Sequence, residues 1–198
     1  MLVNPGFLCI SRLIRDKGVC EYLDAAREIR RRHPDVRCVL VGPFDTNPSA
    51  IKPEDLQPYI DDGSVEYMGE QKDVYPFLCD CTAYVLPSYH EGTPKTVLEA
   101  MASGRPAITT DAPGCRETVT DGVNGYLVPV KDVDAIVNAM ERLLDDPAGA
   151  QRMATEARRI ADAMKLEVIE DGQLPFWTNG VKYFTILGPN REKLEFNQ

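Results

Sequence analysis

AYVLPSYHEGTPKTVLEAMASG, residues 83–104, passes from an apolar strand into a helix through a short polar turn. Ala83 to Leu86 is a brief apolar run of buried-strand length, closed by Pro87-Ser88. Pro94 to Ser103 reads as a helix, with Gly104 as a left-handed cap and Pro106 beyond it. Thr93 is placed to cap that helix through its hydroxyl, and Pro94 suits the first helical position. Two carboxylates flank the turn: Glu91 in the loop, and Glu99 about five residues into the helix, roughly 7–8 Å along its axis.

The same alternation extends in both directions. Phe7 to Ser11 reads as a short buried strand. Gly18 to His33 carries Val19, Leu23, Ala26 and Ile29 at helical spacing and stops at Pro34. Arg37 to Val41 is a second strand, and Pro53 to Asp62 a helix closed by Gly63. Val65 to Met68, Val74 to Cys81 and Ala107 to Thr109 add strand, helix and strand. Asp121-Gly122 and Asn124-Gly125 are turn signals before a strand at Tyr126 to Val128. Val133, Ile136, Val137, Met140, Leu143 and Leu144 mark an amphipathic helix, and a last helix is expected from Pro147 to about Met164. Short strands alternating with helices predict an α/β fold, a Rossmann-like parallel sheet covered by helices on both faces. Such sheets bind ligands at the carboxyl ends of their strands, beside helix N-termini.

Composition bounds the function. The chain has 198 residues, 43% apolar and 27% charged, ordinary for a globular domain with a full core. A formal charge of −9 argues against nucleic acid or an anionic membrane as partner. A nucleotide ligand remains open, because a few local cations suffice for a diphosphate. No leader peptide is read in MLVNPGFLCISRLIRDKG, and no apolar stretch is long enough to span a bilayer. Cys9, Cys20, Cys38, Cys79, Cys81 and Cys115 form no CxxC pair and read as buried, reduced thiols. That usage implies a reducing, cytoplasmic compartment and no metal site.

The residues that carry chemistry fall at expected strand ends. Arg12 leaves the tip of the first strand, and Lys17 precedes the first helix. A guanidinium and an ammonium there suit phosphate oxygens, although solvated loop charges, or a pair with Asp16, would fit the same spacing. The backbone N–H groups of Lys95 and Thr96 open the helix after Pro94, as an anion site requires. Glu91 and Glu99 can each accept from two neighbouring hydroxyls, on opposite sides of a bound diphosphate. The competing reading makes Glu99 a surface helix residue and Glu91 a loop charge. No GxGxxG follows the first strand, so a nicotinamide site is not supported.

SRLIRDKGVCEYLDAA, VLVGP, VEYMGEQKDV and VLPSYHEGTPKTVLEAMASGRPAITTDAPGCRETVTDGVNGYLVPVKD occur in this order. Over about Phe7 to Met164 the chain resembles the C-terminal, donor-binding half of a family-4 retaining glycosyltransferase, an enzyme of two Rossmann-like domains (GT-B). The resemblance implies a glycosyltransferase using a nucleotide sugar, UDP-linked in the first instance. It assigns Arg12 and Lys17 to the diphosphate and the Gly69 to Lys72 turn, with Gln71, to the base. Glu91, with Gly92 and Thr93, falls to the donor sugar, the Lys95 and Thr96 amides to phosphate, and Glu99 to the ribose. Glu91, Arg12 and Lys17 are the catalytic candidates. The family usually needs no metal or other cofactor. Retaining transfer goes to a glycan or lipid-linked acceptor, as in polysaccharide biosynthesis, with the leaving phosphate helping to deprotonate it. His90 could approach the donor or simply pack.

The resemblance also implies an N-terminal domain of similar size, holding the acceptor and allowing peripheral membrane association. The chain begins almost at the first strand of the donor half. A non-catalytic nucleotide-sugar-binding module, or a half-enzyme needing a separate N-terminal domain, is therefore the alternative; a phosphorylase or epimerase of the same architecture fits less well. Residues 1–164 are expected to form the nucleotide-sugar domain and residues 165–198 a β-rich appendage. The appendage, with strands at Val181 to Leu187 and Lys193 to Phe196, resembles the end of a glyoxalase-type module, in which Glu195 would match a metal-binding glutamate. Arg191 stands where that module usually has a turn glycine, and an ordinary hairpin is the plainer alternative.

Overall fold

Successive side chains of Phe7, Leu8, Cys9 and Ile10 point to opposite sides of a strand, and all four are buried. A strand buried on both faces must lie inside a sheet covered twice. The computed structural model describes residues 6–164 and, beyond them, the backbone of three short strands. In residues 6–164 the strands are β1 (Gly6–Ile10), β2 (Arg37–Val41), β3 (Glu66–Tyr67), β4 (Ala83–Leu86), β5 (Ala107–Thr110) and β6 (Gly125–Val128). The helices are α1 (Val19–Arg32), α2 (Pro53–Asp61), α3 (Tyr75–Asp80), α4 (Lys95–Ala102), α5 (Val133–Asp145) and α6 (Pro147–Ala163). All six strands run parallel, in the order β3-β2-β1-β4-β5-β6.

Two apolar clusters cover the sheet. One joins Phe7, Cys9, Leu40 and Val85 to α1, α2 and α5 through Tyr22, Ile29, Leu56, Ile136 and Met140. The other joins Leu8, Ile10, Tyr84 and Leu86 to α3, α4 and α6 through Leu78, Val97, Met101 and Ala157. The buried Tyr22 hydroxyl lies 3.0 Å from the Phe7 carbonyl and 2.9 Å from that of Val39, tying α1 to two strands. Asp132 and Asp146 cap α5 and α6, accepting from the N–H groups of Ala135 (2.9 Å) and Gly149 (2.8 Å).

The strand order fixes where a ligand can enter. The chain steps outward from β1 to β3 on one side, then returns to place β4 on the other side of β1. The connections leaving β1 and β4 therefore diverge to opposite faces, α1 on one and α4 on the other, and leave a crevice between them.

The expected element series is present, with its ends adjusted. The strand expected over Val65 to Met68 contracts to Glu66–Tyr67 at the sheet edge. The cysteines are not uniformly buried: Cys79, on α3, is exposed and Cys20, on α1, is half-buried. Beyond residue 164, Val168–Ile169, Thr185–Leu187 and Lys193–Leu194 form an antiparallel three-stranded sheet. Glu195, Arg191 and the remainder of the proposed appendage lie outside the described residues. Among the described residues, no helix is long and apolar enough to cross a membrane.

Candidate functional site

The loops after β1 and β4 are bonded together. The Tyr89 N–H donates to the Asp16 carbonyl at 2.9 Å, and the Ser88 hydroxyl donates to the same oxygen at 3.2 Å. From the β5 side, the Thr109 hydroxyl donates to the Leu86 carbonyl at 2.8 Å, and that of Thr110 to the Ser88 carbonyl. Tyr89 is pinned in turn, its hydroxyl donating to Glu21 at 2.6 Å and its ring lying under the Lys131 ammonium at 4.7 Å.

Within this frame Lys17 and Glu91, which are 74 positions apart, form an ion pair at 2.6 Å. Their side chains are only 22% and 12% exposed, so water screens the pair less than it would on an open surface. The Glu91 N–H donates to the Pro113 carbonyl at 3.1 Å. Gly114, at φ +85°, packs so closely that a Cβ would stand 1.9 Å from the Glu91 carbonyl oxygen. The loop after β5 thus sets the height of Glu91.

Arg12 does not pair with Asp16. It binds Asp45 at 2.9 Å, a residue of the loop after β2. That loop reaches the expected base-binding turn through the Gly42 N–H, which donates to the Gly69 carbonyl at 2.9 Å. Gln71 turns its side-chain amide onto the Met68 carbonyl at 2.5 Å, so it shapes its own turn. Gly69 and Gln71 follow β3 and sit two strands from β1; Asp45 and Gly42 link them to Arg12.

At α4 one expectation is corrected. Thr93 does not cap the helix: Pro94 is the N-cap, extended at ψ 96°, and α4 starts at Lys95 without a side-chain cap. Thr93 lies exposed one residue too early for its hydroxyl to reach the first turn. The Lys95 and Thr96 amides do open the helix, as expected. The Tyr84 hydroxyl, 2.9 Å from the Ile10 carbonyl, also shares a 2.7 Å hydrogen bond with the Thr96 hydroxyl, so β1, β4 and α4 meet at one buried phenol.

Glu99 is not a surface residue. It is 6% exposed, within the stretch Val97 to Ala102 of α4 that is buried throughout. Desolvation pushes its carboxyl up to about 7 against the pull of Lys95 one turn earlier. A buried acid held near neutrality is a functional signal. His90 is exposed, and its carbonyl lies 3.1 Å from the Ser88 hydroxyl, whose single proton is shared between this oxygen and that of Asp16.

Asp45 and Gly114 escape sequence reasoning because each acts through a contact distant in the chain. Weak signals exist: Asp45 sits in the turn-rich run Phe44-Asp45-Thr46-Asn47-Pro48, and Gly114 in a Pro-Gly pair.

The fold and site define a class: a doubly covered parallel sheet with a charged crevice at its switch point, the Rossmann-like half of the GT-B architecture. The family model for glycosyl transferases group 1 matches residues 4–146, and the chain belongs to that family. It is 30% identical over 179 residues to N,N'-diacetylbacillosaminyl-diphospho-undecaprenol alpha-1,3-N-acetylgalactosaminyltransferase of Campylobacter jejuni, covering 90% of this chain and 46% of that protein. Among solved structures, the sucrose-phosphate synthase of Thermosynechococcus elongatus matches with a TM-score of 0.69 and 30% identity, over 81% of this chain and 41% of that one. The Anabaena protein HepE in complex with UDP-glucose matches with a TM-score of 0.70 and 25% identity, over 81% and 44%. The chain spans less than half the length of each of these relatives.

Proposed function

We propose that this chain is the donor half of a retaining glycosyltransferase and binds a UDP-sugar in the crevice after β1 and β4. The observation that carries this reading is the Lys17–Glu91 pair at 2.6 Å, a phosphate-type cation and a hydroxyl-type acceptor in direct contact at the switch point. The UDP-glucose held by HepE supports the choice of nucleotide. Arg12, Lys17 and the amides of Lys95 and Thr96 take the diphosphate. Glu91, with Gly92 and Thr93, takes the sugar hydroxyls, Glu99 the ribose, and the Gly69 to Lys72 turn with Gln71 the base. No metal or cofactor enters this scheme.

The chemistry follows from charge. Breaking the anomeric carbon–oxygen bond puts negative charge on the departing phosphate. Two cations and a helix N-terminus lower the energy of that charge more than that of the bound donor, which is the condition for catalysis. Glu91, anchored through its own backbone, orients the sugar as the bond breaks. The acceptor is a glycan or lipid-linked carrier, the latter as the name of the Campylobacter relative describes for that protein. It is held by a further domain facing this one, which also provides any peripheral membrane contact. Residues 1–164 form the donor unit.

Titration of UDP-glucose into the 198-residue chain tests the reading. Arg12→Ala and Lys17→Ala are each expected to weaken binding about tenfold, the loss of one charge-assisted contact. The Arg12→Ala loss should shrink more than the Lys17→Ala loss as salt is raised, because Arg12 is largely exposed and Lys17 is not. Unchanged affinity in both variants would remove the diphosphate assignment.

A further inference from the structure

Arg12 is an exposed charge of the proposed site, with 57% of its side chain open to solvent. A long side chain in that setting samples many rotamers unless something holds it. Asp45 is well placed to do so, being only 16% exposed and itself fixed from two sides. Its Oδ1 accepts from the Asn47 N–H at 2.8 Å, and its Oδ2 accepts from Arg12 Nη1 at 2.9 Å. The Asn47 N–H, more than Arg12, holds this carboxyl below its ordinary value, so it is charged at neutral pH.

The loop bearing Asp45 is bonded to the segment around Arg12 on both flanks. Leu13 donates its N–H to the Pro43 carbonyl at 3.0 Å and accepts from the Ile51 N–H at 2.8 Å. The Arg15 N–H donates to the Ser49 carbonyl at 2.9 Å. Asn47 locks the turn between them, its Oδ1 accepting from the Ser49 N–H at 2.9 Å and from the Ser49 hydroxyl at 3.0 Å. Asp45 and Arg12 therefore ride on one bonded unit.

We propose that Asp45 is a positioning residue for the diphosphate subsite, clamping Arg12 through Nη1 so that Nε and Nη2 face the phosphate oxygens. This inference rests on the nucleotide-sugar reading above. A guanidinium fork held at one corner presents its other donors in fixed geometry, which is what a bidentate phosphate contact needs. The opposite possibility is that Asp45 competes with phosphate for Arg12, and the two differ in sign.

Titrations of UDP and of uridine, which lacks phosphate, into the full 198-residue chain separate them. Asp45→Ala is expected to weaken UDP binding about three- to tenfold and to leave uridine unchanged. Asp45→Asn, whose single carbonyl oxygen cannot accept from both the Asn47 N–H and Nη1, should recover only part of the loss. In an Arg12→Ala background Asp45→Ala should have no further effect, since the two residues act as one unit. Tighter UDP binding by Asp45→Ala would overturn the proposal and mark the carboxylate as a competing anion. Equal losses for UDP and uridine, or additive losses with Arg12→Ala, would overturn it in favour of a merely structural role. If Lys17→Ala weakens UDP binding while Asp45→Ala does not, this inference alone falls. If the wild-type chain binds no UDP, the functional reading falls with it.

Discussion

Glu99→Gln is expected to weaken UDP-glucose binding about 10- to 100-fold while making the free protein more stable above pH 7. Both effects come from burial. In the free chain the Glu99 carboxyl is raised from 4.5 to about 7, with desolvation as the main cause. A raised folded value means that the native state holds a proton the unfolded state has released. The contribution of this group is complete below pH 4.5 and is lost as pH rises through about 7. At 1.36 kcal/mol per pH unit, the native state is about 3 kcal/mol worse off at pH 8 than at pH 4 from this residue alone. Glutamine carries no charge to desolvate. Urea denaturation should therefore find Glu99→Gln about 1–3 kcal/mol more stable than wild type at pH 8, with the gain gone near pH 4.5. Binding moves the other way, because a carboxylate accepting from two ribose hydroxyls contributes about 1.5–3 kcal/mol through hydrogen bonds to a charged group. Glu99 must ionise to accept both, so wild-type affinity should rise between pH 5.5 and 8. UDP-glucose suits this measurement because its diphosphate has no terminal phosphate to titrate in that range. A flat affinity profile, or a glutamine variant equally destabilised at both pH values, would show that Glu99 does not meet the ribose as a buried acid.

The fold was legible because its units are local. Apolar runs of four or five residues, helical spacing at Val19, Leu23, Ala26 and Ile29, and Gly63 and Gly104 after helices are each readable within a short window. The positions of Arg12, Lys17 and Glu91 after strand ends, and of Glu99 within the helix that follows, come from the same alternation. What the residues touch was not legible. Lys17 meets Glu91 across 74 positions, and Arg12 meets Asp45 across 33, so neither partner could be chosen by spacing. The burial of Glu99 was also hidden: an acid in a short helix reads as solvated, whereas every residue of α4 from Val97 to Ala102 is buried in the fold. Thr93 failed as a cap for a local reason, since the chain stays extended through Pro94 and the helix begins one residue later.

Gly18→Ala is expected to destabilise the chain by more than about 3 kcal/mol, a large part of the stability of a domain this size. Gly18 ends the turn over Arg15–Lys17 and begins α1, at φ 69° and ψ 24°. That conformation alone costs an alanine about 1–2 kcal/mol. Gly63→Ala isolates that part, because Gly63 has φ +73° and nothing within 4 Å of an added Cβ. At Gly18 the Cβ would stand 2.0 Å from the Pro87 carbonyl oxygen and 2.6 Å from its carbon. Both are backbone atoms at the carboxyl end of β4, so no side-chain rotation relieves the overlap. Relief requires α1 to move away from the β4 loop, where Tyr89 and Ser88 bond to Asp16. Such a shift separates Lys17 from Glu91, so nucleotide affinity should fall even in conditions where the variant stays folded. Denaturation of Gly18→Ala, Gly63→Ala and wild type side by side checks the contrast, with insolubility of Gly18→Ala alone counting as the expected direction. Equal losses in the two variants would mean that the contact between the β1 and β4 loops is looser than the structure has it, and that the crevice is not held by close backbone approach.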